Sequence, residues 1–281
     1  MLELQNHSLR LEILDPVEDR ARLGTRYCWG GYIWQIHDSL HGALLSGPEY
    51  PAEPEDVFNG QGIPEVLRSN VLLSGVPLTI DPGEGGLIIG IGRVDGEREI
   101  TRPCRWSIEQ SKPSIAFGTT DESRGWGYEL TRHLELKGRR LVSRTTINNT
   151  GSRTLPVHWF AHPFFPLTDG TLVCQLHFPA TLPENPGYTL EDGFIRFRKP
   201  FLTFEENVFA MLEIEPDRAF DATVSHPALE AIRITGDFSP SDVPIWANGN
   251  TFSIEPYIFR SLEPGEETDW SLTYEFRREI P

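Results

Sequence analysis

The chain has 281 residues and a formal net charge of −16, from 25 Lys and Arg against 41 Asp and Glu. This acid excess argues against a general affinity for nucleic acid or an anionic membrane surface, since both require a positive field. Hydrophobic residues, at 38%, supply a packed core and exclude a disordered chain. The 25 Gly and 23 Pro exclude a mostly helical bundle, because both interrupt helices.

The N-terminus, MLELQNHSLRLEILDP, has no basic segment followed by an apolar one, so no signal peptide is expected. No apolar run approaches the ~20 residues of a membrane-spanning helix. The expectation is a soluble, cytoplasmic protein. Leu9, Leu11 and Ile13 alternate with polar residues, the period of a strand with one buried face. Cys28, Cys104 and Cys174 are widely separated and none belongs to a CxxC pair, so they read as small buried apolar residues. The segment Gly47–Gly62 is rich in Pro and Glu, but turn signals are as dense elsewhere. No domain boundary is marked, and one domain spanning residues 1–281 is expected.

Further along, Asp81-Pro82-Gly83 signals a turn. Gly83-Glu84-Gly85-Gly86 lacks the strand–loop–helix context of a dinucleotide site and reads as another turn. Leu87–Ile91 and Ser114–Phe117 are short strand candidates. Tyr128, Leu130, Leu134 and Leu136 alternate around Arg132, and Leu141–Asn148 follows a Lys137-Gly138 turn, which predicts a hairpin. After the turn Asn148-Asn149-Thr150-Gly151 come strand candidates at Leu172–Phe178 and Ala231–Ile234. The turn Glu263-Pro264-Gly265-Glu266 precedes the clearest strand, with Trp270, Leu272, Tyr274 and Phe276 on one face. No helix beyond about two turns is expected. Many short strands without βαβ alternation predict an all-β, antiparallel sandwich or barrel.

No GxxxxGK[ST] loop and no GxSxG elbow occurs. His158 and His162 have the i,i+4 spacing of a helical metal pair, but their segment is aromatic-rich and ends at Pro163. On a strand those positions lie about 13 Å apart, too far to share an ion. The strand reading puts His158, Phe160 and His162 on one face, with His162 at the strand end, where an imidazole can exchange a proton near neutral pH. A hydrogen-bonded histidine at the core edge is the alternative. In Thr251-Phe252-Ser253-Ile254-Glu255-Pro256-Tyr257, Ser253 and Glu255 share a face and Pro256 ends the ladder. A carboxylate held there is a candidate base; an exposed strand-end glutamate is the alternative. Trp126 and Trp246, both in Gly-containing loops, are candidates to offer a flat face to a sugar, or are core residues.

His162-Pro163-Phe164-Phe165 resembles the His-Pro-Tyr-Phe signature of the aldose 1-epimerase (galactose mutarotase-like) superfamily. The context is similar: Tyr128–Arg132, Ile147–Ser152, the aromatic strand leading to His-Pro, then Ser253-Ile254-Glu255-Pro256 and Leu262–Glu266. Gly24–Tyr27 and Trp29-Gly30-Gly31 look like that superfamily's first strands. The resemblance, from about Leu9 to Phe276, implies a large antiparallel β-sandwich (the galactose mutarotase-like supersandwich) with a cleft. It implies that His162 is a general acid and Glu255 a general base in opening the ring of a free sugar, with no metal and no cofactor. Arg93 matches an arginine of the superfamily and joins Trp126 and Trp246 as a candidate substrate contact. Two departures stand out: Ile89 occupies the place of an additional histidine, and Gln61 that of the arginine in sugar-phosphate members. The expected ligand is a small-molecule carbohydrate, with interconversion of the anomers of a free sugar as the activity, and the phosphate specificity of the sugar-phosphate members is not carried over. A non-catalytic sugar-binding protein is the alternative. A hydrolase or lyase on the same scaffold would need a second acid or a tyrosine near the cleft.

Overall fold

Alternation with period 2 buries one face of a strand, and here it builds two facing layers. The computed structural model describes residues 1–49, 59–68, 86–95, 99–199 and 206–278. Among these the one helical element is the 3-10 turn Arg20–Arg22. No helix of the described residues is long and apolar enough to cross a membrane.

One layer is a ten-stranded antiparallel sheet. Across it the strands run Tyr188–Glu191, Phe194–Phe197, Leu172–Leu176, Asp221–Val224, Ala231–Gly236, Glu267–Arg277, Arg140–Asn149, Trp126–Lys137, Ser114–Ser123 and Trp106–Ser111. Its centre is the predicted hairpin, in register from Tyr128↔Asn149 to Lys137↔Arg140. Gly138, at φ +58°, supplies the positive φ that a two-residue hairpin loop needs at its first position. The C-terminal strand pairs along the hairpin from Arg140↔Glu275 to Asn148↔Glu267. Its predicted face, Trp270, Leu272, Tyr274 and Phe276, is buried throughout.

The opposite layer comprises two sheets. One has three strands, in the order Tyr257–Leu262, Leu155–Ala161, Glu65–Arg68. The other has five, in the order Phe165–Pro166, Thr251–Ile254, Val243–Ala247, Val208–Ile214, Ala180–Thr181. Trp159 meets Trp270 across the layers at 5.3 Å between ring centroids, and Tyr188 meets Phe252 at 6.5 Å. This is a β-sandwich with apolar inner faces. An N-terminal four-stranded sheet (Leu2–Gln5, Leu9–Ile13, Ile33–Asp38, Gly42–Ala43) and a three-stranded one (Gly86–Ile88, Gly92–Val94, Ile100–Pro103) complete it.

Several boundaries differ from expectation. The strand expected over Leu87–Ile91 stops at Ile88, where the chain turns through Gly90 at φ +75°. A side chain there would meet Cys28 Sγ at 2.5 Å, so the turn demands glycine. The strand starting at Ser114 runs on to Ser123, because pairing with the strand Trp126–Lys137 carries it through its polar second half. Phe178 lies beyond the strand Leu172–Leu176. The turn at Asp81–Gly83 and the first three residues of Gly83–Gly86 lie outside the described residues. The three cysteines are unpaired and buried, and burial pushes the Cys28 thiol up to about 12, which suits inert filling of the core.

Arg132 is the exception to apolar filling. Alternation puts it on the buried face, and it is 1% exposed. Its guanidinium meets Glu65 in a two-pronged pair, one bond at 2.7 Å, and donates to Ser143 Oγ at 2.9 Å. Ser143 and the Trp159 indole donate to the same carboxylate, at 2.8 and 2.5 Å. A buried charge is tolerable when paired and hydrogen-bonded in this way. The cluster ties the large sheet to the strands Glu65–Arg68 and Leu155–Ala161.

Candidate active site

Two X-Pro steps mark where the chain changes sheets. The strand Leu155–Ala161 belongs to the three-stranded sheet and Phe165–Pro166 to the five-stranded one; His162-Pro163 lies between them. The strand Thr251–Ile254 belongs to the five-stranded sheet and Tyr257–Leu262 to the three-stranded one; Glu255-Pro256 lies between them. Proline has no N–H for a ladder, so a strand ends there and the chain is free to cross. Both crossings fall on the same junction, because Phe165 pairs with Phe252 and Phe160 with Tyr257 on either side of it. This brings together residues far apart in sequence.

The backbone fixes both groups. The His162 N–H donates to the Pro64 carbonyl at 2.9 Å, and the Glu255 N–H to the Pro244 carbonyl at 3.0 Å. His162 Nε2 lies 3.4 Å from Glu255 Oε1. The imidazole Nδ1 lies 3.1 Å from Ser253 Oγ, and its ring stacks on Phe164 at 4.4 Å. The Tyr257 hydroxyl donates to Glu255 Oε2 at 3.3 Å, while its ring stacks on Phe160 at 4.3 Å. His162 and Glu255 are only 6% and 4% exposed, yet both reach a cleft of about 370 Å³. Phe160, Phe164, Phe209, Trp246 and Tyr257 line it with aromatic surface; Arg26, Asn59 and Asn207 add polar groups. Nearby, burial, reinforced by the charge of Glu255, pushes the Tyr188 phenol far above its ordinary range.

Of the residues singled out from sequence, the structure brings together His162, Glu255 and Trp246, whose ring is 6.0 Å from that of His162. Arg93 and Trp126 do not line the cleft. The Arg93 guanidinium donates to the Glu122 carbonyl and lies 3.7 Å from Asp121, so it is engaged in its own sheet's periphery. Trp126 is covered by the Arg153 guanidinium at 4.5 Å. His158 packs on Phe259 at 4.7 Å, and its strand geometry rules out the helical pairing with His162. Ile89 is buried in its turn, and Gln61 is buried with its amide donating to the Trp34 carbonyl at 3.4 Å. Among the described residues no group of three or more His, Cys, Asp or Glu is placed to hold a metal ion. Ser253 was visible as sharing the face of Glu255. Arg26, Asn59 and Asn207 come from irregular segments with no period to betray them.

No protein-family model and no curated protein matches the sequence. Solved structures do. The Slr1438 protein of Synechocystis sp. PCC 6803 superposes with a TM-score of 0.62 at 15% identity, covering 99% of this chain and 96% of that one. A galactose mutarotase related enzyme from Lactobacillus acidophilus gives 0.61 at 14%, covering 99% and 98%. A galactose mutarotase-like protein from Lactobacillus casei gives 0.60 at 13%, covering 99% and 100%. The chain has the galactose mutarotase-like fold.

Proposed function

We propose that the cleft binds an aldose and equilibrates its anomers. The observation that carries this reading is the 3.4 Å approach of His162 Nε2 to Glu255 Oε1 at the floor of an aromatic-walled cleft. The likeness in fold to mutarotase-related structures supports it. Glu255 takes the proton of the anomeric hydroxyl while His162 protonates the ring oxygen. The C1–O5 bond breaks, its electrons go to O5, and the O1 electrons form the carbonyl. After rotation about C1–C2 the steps reverse: His162 takes the proton back from the hydroxyl, and Glu255 returns its own to O1. Both groups end in their starting states, so turnover consumes nothing. The aromatic walls suit the C–H face of a sugar, and Asn59, Asn207 and Arg26 suit its hydroxyls.

The test is anomer exchange followed by NMR over a panel of unphosphorylated aldoses. The expected result is acceleration for at least one, and a loss of about 10²–10⁴-fold in Glu255→Gln with sugar binding retained. A folded protein that accelerates none overturns the reading. Saturable sugar quenching of tryptophan fluorescence without exchange would instead identify a binding protein. That second reading is favoured by the sequence resemblance, in which Ile89 takes the place of the superfamily's additional histidine.

A further inference from the structure

We infer that Ser253 is a positioning residue for His162, holding the imidazole so that Nε2 faces Glu255 and the cleft in every protonation state. The proposal deepens the acid–base reading above and rests on it for its kinetic arm.

An imidazole has two nitrogens, and the hydrogen bond at one decides what the other carries. The usual partner for Nδ1 is a carbonyl or carboxylate, which only accepts. Here Nδ1 lies 3.1 Å from a hydroxyl, which both donates and accepts. When the ring is imidazolium, Nδ1–H donates to Ser253 Oγ. When Nε2 has given up its proton, Nδ1–H still does so, and Nε2 offers a lone pair to take the proton back. When the neutral ring instead carries its proton on Nε2, the hydroxyl turns and donates to Nδ1. No state leaves a buried nitrogen orphaned, and the ring keeps its orientation through a proton cycle.

The surroundings fit this role. Ser253 is fully buried on the strand Thr251–Ile254, two residues before Glu255, so one strand face carries both partners of the imidazole. Phe164 stacks on the ring and restrains its tilt, but an apolar ring exerts no choice between the nitrogens. Among the described residues, the charged or titratable groups around His162 include Glu255 at Nε2, Tyr257 through Glu255, Tyr27 edge-on at 6.4 Å between ring centroids, and Arg26 lining the same cleft. Of these, Glu255 acts on Nε2, while Ser253 meets Nδ1.

The experiment compares the full-length protein with Ser253→Ala by two readouts, after circular dichroism and melting show that both are folded. The first is NMR of the imidazole nitrogens across pH. In the wild type, Nδ1 should show a single hydrogen-bonded state on each side of the titration. In Ser253→Ala the Nδ1 resonance should lose its hydrogen-bonded shift on both sides of the titration, and the midpoint should fall by about one unit, because the lost bond is stronger to the cation. The second readout is anomer exchange, where kcat should fall about tenfold with KM within about twofold, and the pH profile should move with the NMR midpoint. Unchanged nitrogen shifts and midpoint in Ser253→Ala overturn the proposal, whatever the activity. A kcat loss with no change in the pH profile also overturns it, since that is the mark of mere packing. If the wild type exchanges no aldose, the reading of function fails while the NMR comparison still decides the role of Ser253.

Discussion

A carboxylate and an imidazole in contact need a surface that holds the reacting ring against them. Trp246 is placed to supply it: half-buried, edge-on to His162 and 6.3 Å from Phe164. Stacking of a sugar on an indole is made equally in the ground state and the transition state, so its loss should appear in KM. In Trp246→Ala, KM for the preferred aldose should rise about tenfold, while kcat stays within about threefold. Steady-state anomer exchange measures both, and a kcat loss with unchanged KM would show that the indole serves the proton transfer instead. His162 and Glu255 were legible as cleft residues because strand alternation and proline stops give each a face and an end; Trp246 was singled out as an aromatic in a Gly-containing loop, and it stands instead on the strand Val243–Ala247. Arg93 and Trp126 looked equally eligible, but a sequence does not show that Asp121, Glu122 and Arg153 occupy them. Arg26 and Asn207 were invisible as lining residues for the converse reason: irregular segments reach the cleft by tertiary folding alone.

The strands carrying these groups are positioned by the charge cluster beneath them. Glu65 receives donors from Arg132, Ser143 and Trp159, and its own strand pairs with Leu155–Ala161, the strand that ends at His162. Removing one partner of a buried ion pair strands the other, at a cost of about 3–5 kcal/mol. Arg132→Met should therefore lower stability by that amount in urea unfolding. Arg132→Met combined with Glu65→Leu should recover much of it, since no uncompensated charge remains. If the double variant is no more stable than the single one, the pair contributes through packing and not charge. The hairpin that carries Arg132 was readable from its alternation and its glycine turn. The reason for an arginine on the buried face was not, because its partner lies 67 residues away on another sheet. The junction itself was half legible: each X-Pro step announced a strand end, but only the pairings Phe165↔Phe252 and Phe160↔Tyr257 show that the two ends adjoin.

At the scale of the whole molecule, the N-terminal sheet is joined to the C-terminal end of the chain through Asp38. Its side chain is fully buried at the end of the strand Ile33–Asp38, 2.6 Å from the Arg139 guanidinium in the central hairpin loop and 2.5 Å from that of Arg278. The Leu40 and His41 N–H groups donate to it at 2.8 and 3.1 Å. Burial pushes the carboxyl pKa up, but the bonds from Arg278, Leu40, Arg139 and His41 outweigh it and hold the group far below the ordinary carboxylate range. A carboxyl with a depressed pKa in the folded state binds protons less readily there than in the unfolded chain. Its contribution is therefore complete above the unfolded value of about 3.9 and is lost as pH falls below it, at about 1.4 kcal/mol for each unit of depression. Asp38→Asn removes this dependence and leaves two arginines facing a neutral amide. Urea unfolding from pH 7 down to pH 2 should show the variant less stable at neutral pH, with the gap to the wild type closing below about pH 4. A gap that stays constant across that range would mean that Asp38 joins the termini by shape alone, and that the acid sensitivity of the sandwich resides in other carboxylates.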